Sequence, residues 1–119
     1  MRIDHLQIAA PVGCEEAARE FYGGKLGMAE IEKPAELRKR GGCWFACGEQ
    51  QLHIGVEKDF RAAKKAHPAF AVENLEALRQ ALVQHGYPVI DDENLPGSRR
   101  FYSEDPWGNR LEFVEQRND

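Results

Sequence analysis

The feature of this sequence that most constrains its fold is an internal repeat. Residues 2–9, RIDHLQIA, alternate like a strand, and residues 14–27, CEEAAREFYGGKLG, place apolar side chains at helical spacing. The second half repeats this order, with alternation in HPAFAV at 67–72 and a helical pattern in NLEALRQALVQHG at 74–86. Three strand-like segments follow each helix. Because self-similarity of this kind indicates a repeated structural unit, each half is predicted to be a βαβββ module.

The same patterns predict the bounds of the modules. The strand-like segments are MAEIEK, CWFAC and QLHIGVE in the first half, and YPVID, RRFYS and NRLEFVE in the second. The first helix is expected to bury Ala18, Phe21, Tyr22 and Leu26, and the second to bury Leu75, Leu78 and Leu82 between an Asn74 N-cap and a Gly86 C-cap. The predicted fold class is α+β. One domain spans 1–119, with modules at 1–57 and 67–116 joined by a charged linker at 58–66.

Composition excludes several classes of function. The formal net charge is -4, from 20 acidic and 16 basic residues, so no basic field favours nucleic acid or an anionic membrane as partner. No apolar run is long enough for a signal peptide or a membrane span of roughly 18 residues, so a cytoplasmic protein is expected. Three cysteines suit a reducing compartment. Cys43 and Cys47 could form half of a zinc site, but their spacing on a strand around Phe45 favours core positions.

One helix covers one face of each predicted sheet, so the polar residues of each strand should line the other face. Four potential metal ligands fall on that face: His5, His53, His67 and Glu112. The spacing agrees between the halves, at 48 positions from His5 to His53 and 45 from His67 to Glu112. An approximate twofold axis, with the first and last strands central to each module, would bring the four together.

A histidine within QLHIGVE, taken alone, is interpreted as an ordinary strand residue that faces water or has a hydrogen-bond partner. Four converging polar groups without a partner would be costly, at about 1–3 kcal/mol for each buried group. A divalent ion removes that cost. Three neutral imidazoles and one carboxylate would leave an octahedral ion with two open positions, which is a catalytic arrangement.

The sequence DPWG at 105–108 predicts a three-residue hairpin loop, with Gly108 at positive φ. If Asp105 pairs across this loop, Tyr102 lies opposite Glu112 and shares its face with Arg100. Tyr102 would then place a phenol beside the metal, and Arg100 a cation beside an anionic substrate group. A one-residue slip would instead make Arg100 a solvated strand-end charge.

Two further features are not assigned a role at the site. The short turn after residues 43–47 allows two registers, so that either Trp44 or Phe45 could face the site. His85 lies in the last turn of the second predicted helix, where a partial positive charge suits the helix dipole.

Three segments, DHLQIA, FYGGKLGM and FYSEDPWGNRLEF, resemble the vicinal oxygen chelate superfamily, which includes glyoxalase I, bleomycin- and fosfomycin-resistance proteins and extradiol dioxygenases. The resemblance implies a cup-shaped mixed sheet and a divalent ion, Zn, Ni, Fe, Mn or Co. It implies His5, His67 and Glu112 as ligands. His53 stands where glyoxalase I has a glutamate, so a standard glyoxalase I reaction is not expected. Gln7 stands where fosfomycin-resistance enzymes have a threonine, which argues against fosfomycin as the substrate.

The expected function is therefore a metal-dependent lyase, isomerase or dioxygenase acting on a small oxygenated molecule. Glu112 or a metal-bound water would move the proton, Tyr102 would assist it, and Arg100, Tyr102 and Gln7 would contact the substrate. The alternative is a metal-free protein that binds or sequesters a small molecule, as bleomycin-resistance proteins do. Family members often form dimers, so a homodimer is expected, with modules that pair within one chain or between two.

Overall fold

The computed structural model describes residues 1–94, 97 and 99–116, which form two compact units that divide between Ala62 and Ala63. The first unit contains β1 (His5–Ala10), α1 (Glu15–Ala18) continued by a π-helix (Arg19–Lys25), β2 (Glu30–Ile31), α2 (Ala35–Arg38), β3 (Cys43–Cys47) and β4 (Gln50–Val56). The second contains β5 (Ala69–Val72), α3 (Leu75–Gln84), β6 (Ile90–Asp92), β7 (Arg100–Glu104) and β8 (Arg110–Glu115). The α+β class and the repeated βαβββ order are confirmed, with one short unpredicted helix, α2, inserted between β2 and β3 of the first unit. No helix in the described ranges is long and apolar enough to cross a membrane.

Both sheets are mixed and share one topology. Their strand orders are β1-β4-β3-β2 and β5-β8-β7-β6, with the first strand parallel to the last and the other pairs antiparallel. The last strand of each module is central, as predicted. The prediction that the first strand is also central is wrong within these sheets, because the last three strands form an antiparallel meander that leaves only the outer side of the last strand for the first.

The core of the first unit lies between its sheet and its helical segment. Its largest buried side chains are those of Phe21, Tyr22, Phe45, Leu52 and Ile54. The predicted helix is present, but its second half is π-helical, and the N–H of Leu26 donates to the carbonyl of Phe21 at 2.9 Å. Leu26 itself is only half-buried.

The helix of the second unit begins and ends as the sequence predicts. The Asn74 side chain accepts a hydrogen bond from the N–H of Ala77 at 3.1 Å. At the other end the N–H of Tyr87 donates to the carbonyl of Leu82 at 2.9 Å, and that of Gly86 to Val83 at 3.1 Å. These paired bonds form a Schellman motif. The helix buries Leu75 and Leu82 fully, while Leu78 is half-buried.

The cysteines of the first unit lie in or beside its core. Cys14 and Cys43 are almost fully buried and Cys47 is half-buried. The thiol of Cys43 donates to the carbonyl of Glu15 at 3.8 Å, on the helix side of the sheet. This environment matches the core interpretation of Cys43.

We expect these thiols to differ in reactivity. Burial, followed by the charge of Glu15, raises the pKa of Cys14 to about 11, so at pH 8 only about one thiol in a thousand would be ionised. Burial also raises the pKa values of Cys43 and Cys47. Mass spectrometry after maleimide treatment should show Cys47 modified first in the native protein, with Cys14 and Cys43 modified only after unfolding. Modification of Cys14 as fast as Cys47 would contradict this packing.

Candidate metal and substrate site

The hairpin between β7 and β8 sets the register of the second-unit site. The N–H of Asp105 donates to the carbonyl of Asn109 at 3.0 Å, and Gly108 has a φ of 90°. The Asp105 carboxylate accepts from the N–H groups of Trp107 and Asn109 at 3.0 and 2.9 Å. Tyr102 therefore lies opposite Glu112, which confirms the predicted register.

Two of the predicted ligands meet within this unit. Glu112 is 7% exposed, and its Oε1 lies 2.9 Å from Nε2 of His67. His67 precedes β5, which begins at Ala69 and not at residue 67 as predicted. The reason is Pro68, which has no N–H to donate to the neighbouring strand. Its carbonyl oxygen accepts a hydrogen bond from the N–H of Glu112 at 3.0 Å.

The hydrogen bonds of His67 determine which ring nitrogen carries its proton. Nδ1 lies 2.8 Å from the carbonyl oxygen of Lys65, which can only accept, so Nδ1 is the protonated nitrogen. In a neutral ring, Nε2 then directs a lone pair at the carboxylate oxygen of Glu112. That contact is repulsive unless a proton lies between the two atoms or a metal ion beside them binds both.

The distance between these two atoms suits a metal ion. Neighbouring ligands of an octahedral ion with bonds of about 2.1 Å lie about 3 Å apart, and the observed separation of Nε2 of His67 from Oε1 of Glu112 is 2.9 Å. The carbonyl of Lys65 orients the imidazole in the way that second partners orient metal-bound histidines. The pair therefore fits a divalent ion in donor chemistry and spacing.

The other Glu112 oxygen is bound by Arg100. Nη1 of Arg100 lies 3.3 Å from Oε2 of Glu112, and Nη2 lies 2.9 Å from Asp92. Arg100 thus lies on the predicted face, but two carboxylates already bind it. The Tyr102 ring lies edge-on to His67, with 5.6 Å between ring centroids.

The first unit contains the other two predicted ligands, on one face of its sheet. The ring of His53 stacks on Trp44 at 3.9 Å and on His5 at 4.4 Å, with interplanar angles of 3° and 17°. Trp44 therefore shares the face of His53, while Phe45 points into the core. We call Trp44, His53 and His5 the ring stack.

Both histidines of the ring stack have a partner that orients them. Nδ1 of His5 lies 3.0 Å from the carboxylate of Asp4, and Nε2 of His53 lies 2.9 Å from Oε1 of Gln51. Burial, followed by the charge of His5, lowers the pKa of His53 and so favours its neutral form. Gln7 lies on the same face of the sheet as His53, and its side chain covers Gly55. A Cβ added at Gly55 would lie 2.7 Å from Cδ of Gln7.

The four predicted ligands thus occur as two pairs, one in each unit. Within neither unit do the described residues include three or more His, Cys, Asp or Glu side chains grouped so as to hold a metal ion. A complete ligand set from both units stays a prediction, and so do the roles assigned to Gln7, Arg100 and Tyr102.

Sequence reasoning missed Arg110 and left open whether Trp44 or Phe45 faces the site. Trp44 covers the His53 ring, and the guanidinium of Arg110 lies over the Tyr102 ring, 4.2 Å from its centroid. Arg110 could have been found, because it lies two residues before Glu112 and strand alternation puts both on one face. Trp44 could not, because its facing depended on the turn register.

The fold and the paired donors define a protein of the glyoxalase-like class. The sequence profile of the Glyoxalase/Bleomycin resistance protein/Dioxygenase superfamily matches residues 2–113, and the chain belongs to that superfamily. No curated protein matches the chain closely enough to count as a relative.

Solved structures agree with this assignment. A glyoxalase family protein from Bacillus anthracis is 58% identical, with 98% of this chain and 96% of that chain covered and a TM-score of 0.93. A glyoxalase family protein from Enterococcus faecalis is 28% identical, with 96% and 97% covered and a TM-score of 0.71. A lactoylglutathione lyase from Agrobacterium tumefaciens is 22% identical, with 96% and 92% covered and a TM-score of 0.74, and shows similarity of fold alone.

Proposed function

We propose that this chain is a metal-dependent enzyme that acts on a small oxygenated molecule by metal-assisted proton transfer, as a lyase, isomerase or dioxygenase. The observation that carries the proposal is the 2.9 Å contact between Nε2 of His67 and Oε1 of Glu112, which calls for a cation. His5 and His53 would supply the remaining ligands. His53 would bind through Nδ1, because its Nε2 contacts Gln51. The expected divalent ion, homodimer, small-molecule partner and cytoplasmic location are parts of the same proposal.

The residues of the second unit have distinct roles in this mechanism. A bound divalent ion would supply a Lewis acid that polarises a substrate oxygen. Glu112 would accept the proton, and Arg100 would keep its carboxylate oriented through Oε2. The Tyr102 hydroxyl has no hydrogen-bond partner among the described residues, so it is available to donate to a substrate oxygen.

A second candidate is a metal-free protein that binds a small molecule, and two observations favour it. Glu112 already has a cationic partner in Arg100, at 3.3 Å. The ring stack also provides a flat aromatic surface on the face that carries His53. In this candidate a proton, and not a metal ion, lies between His67 and Glu112.

Metal binding separates the two candidates. Untagged protein is freed of metal with a chelator and titrated with Zn, Ni, Mn, Co and anaerobic Fe(II), with metal content measured by mass spectrometry. We expect one ion per chain, lost in H67A and retained in H85A, because His85 lies at the end of α3, where its imidazole contacts the carbonyl of Ala81. If none of these ions binds the wild-type protein, the enzyme proposal is wrong and the binding protein is favoured.

A further inference from the structure

We infer that Arg110 binds the carboxylate of a small, singly charged substrate. The inference rests on the proposed function, because it names the substrate class of that site. It differs from the sequence prediction, which assigned the anionic group to Arg100. All of the observations that support it lie within the second unit.

Arg110 lies where a substrate bound at Glu112 would extend. The two residues are separated by one position on β8, so they share a face and their Cα atoms lie about 6.6 Å apart. The guanidinium of Arg110 lies over the Tyr102 ring, 4.2 Å from its centroid. Tyr102 in turn pairs with Glu112 across the sheet. A molecule only a few bonds long could contact both Arg110 and Glu112.

The charge of Arg110 is available, whereas that of Arg100 is not. Arg100 lies 3.3 Å from Glu112 and 2.9 Å from Asp92, so its charge is compensated. Among the residues that the structure describes, no carboxylate forms an ion pair with Arg110, although its side chain is half-buried. A half-buried cation without an acidic partner is suited to an anion supplied from solution.

Arg110 also lines a small cavity of about 220 Å³ beside Tyr102. Two cations, Lys64 and Arg110, and one carboxylate, Glu104, line this cavity, which gives a net charge of +1 (2 − 1). Lys64 is itself held by Glu104 at 3.2 Å and by the carbonyl of Gly108 at 2.8 Å. Arg110 is therefore the open cation. A net charge of +1 complements a monoanion better than a dianion.

The guanidinium of Arg110 favours a planar anion. The guanidinium is planar and presents its N–H donors as a fork in that plane, and its Cζ lies 4.2 Å from the centroid of the Tyr102 ring. A carboxylate can accept two parallel hydrogen bonds in that plane. The side chain of Ile90 lines the same cavity and suits a short apolar portion of the ligand. The expected ligand is a small organic monocarboxylate.

The test measures binding of pyruvate, the probe, to the full chain after removal of metal, by calorimetry or by shifts of amide NMR signals. We expect R110Q to weaken pyruvate binding at least about tenfold, because a charge-assisted hydrogen-bonded pair is lost. R99Q is the matched control, since it removes the same charge from the same unit outside this cavity. The neutral analogue pyruvamide should bind the wild-type protein and R110Q equally.

Three results would overturn the inference. They are equal pyruvate affinity in R110Q and the wild type, no measurable pyruvate binding to the wild type either without metal or with it, and tighter binding of inorganic phosphate than of pyruvate. The titration with metal ions is a separate measurement. A protein that binds pyruvate through Arg110 but binds no metal would support the inference and contradict the proposed enzyme.

Discussion

An alanine at position 42 is expected to lower the free energy of unfolding by about 3 kcal/mol or more. Gly42 has a φ of 85°, which costs an alanine about 1–2 kcal/mol. A Cβ at this position would also lie 2.0 Å from the carbonyl oxygen of Ile54, on the neighbouring backbone. The chain would have to move there, and the hydrogen bond from the N–H of Gly42 to Glu15, at 2.6 Å, would be strained.

Gly27 provides the matched control for this substitution. Its φ of 78° is similar, but no atom lies within 4 Å of an added Cβ. G27A should therefore cost only the conformational penalty of about 1–2 kcal/mol. Urea denaturation followed by circular dichroism measures both variants. If G42A and G27A lower the free energy of unfolding by the same amount, the close approach of residue 42 to Ile54 does not contribute to the cost of the G42A substitution.

The parts of the fold that the sequence predicts well are set by local chemistry. The turn at residues 105–108 fixed the β7–β8 register, because Asp105 accepts bonds from backbone N–H groups within its own loop. The ends of α3 were predictable for the same reason, since Asn74 and Gly86 act on neighbouring backbone groups. Period-two alternation then put Glu112 and Tyr102 on one face.

The parts that it predicts poorly depend on contacts between distant segments. The edge position of β1 follows from the meander of three later strands, which no local pattern specifies. The ion pair between Arg100 and Asp92 depends on how β6 aligns with β7, and the Pro-Gly dipeptide at 96–97 marks a turn between them without fixing the register across a seven-residue connection. The sequence therefore predicts that Arg100 shares a face with Glu112, but not that its charge is compensated.

The candidate site shows the same division. The sequence identifies the donors and the face they occupy, because alternation is local. It does not identify the partners that orient them, such as the carbonyl of Lys65 beside His67 and the side chain of Gln51 beside His53. Those partners determine which nitrogen of each ring is free to bind an ion.

Replacing Glu112 by glutamine is expected to lower the affinity for a divalent ion by about 100-fold or more, because one anionic ligand is lost. Glutamine keeps the shape of Glu112, and its Oε1 can still accept a hydrogen bond from Arg100. The unfolding free energy should fall by only about 1–3 kcal/mol, so the variant should remain folded. Competition with a chromophoric chelator measures the metal affinity.

Glu115 is the matched control for this experiment. It lies on the same strand, and E115Q removes the same charge from an exposed position. Its metal affinity should equal that of the wild type. The comparison therefore separates loss of a ligand from a general loss of negative charge on β8.

The E112Q variant also distinguishes the two cations that could bridge His67 and Glu112, a metal ion bound to both or a shared proton. If a metal ion bridges them, the E112Q substitution reduces metal affinity, and added metal stabilises the wild type more than E112Q in thermal unfolding. If they share only a proton, added metal stabilises neither protein, and E112Q differs from the wild type only by the lost ion pair. The second outcome would assign the 2.9 Å contact to a structural salt bridge, and would leave the ring stack and Arg110 as the ligand-binding features of this chain.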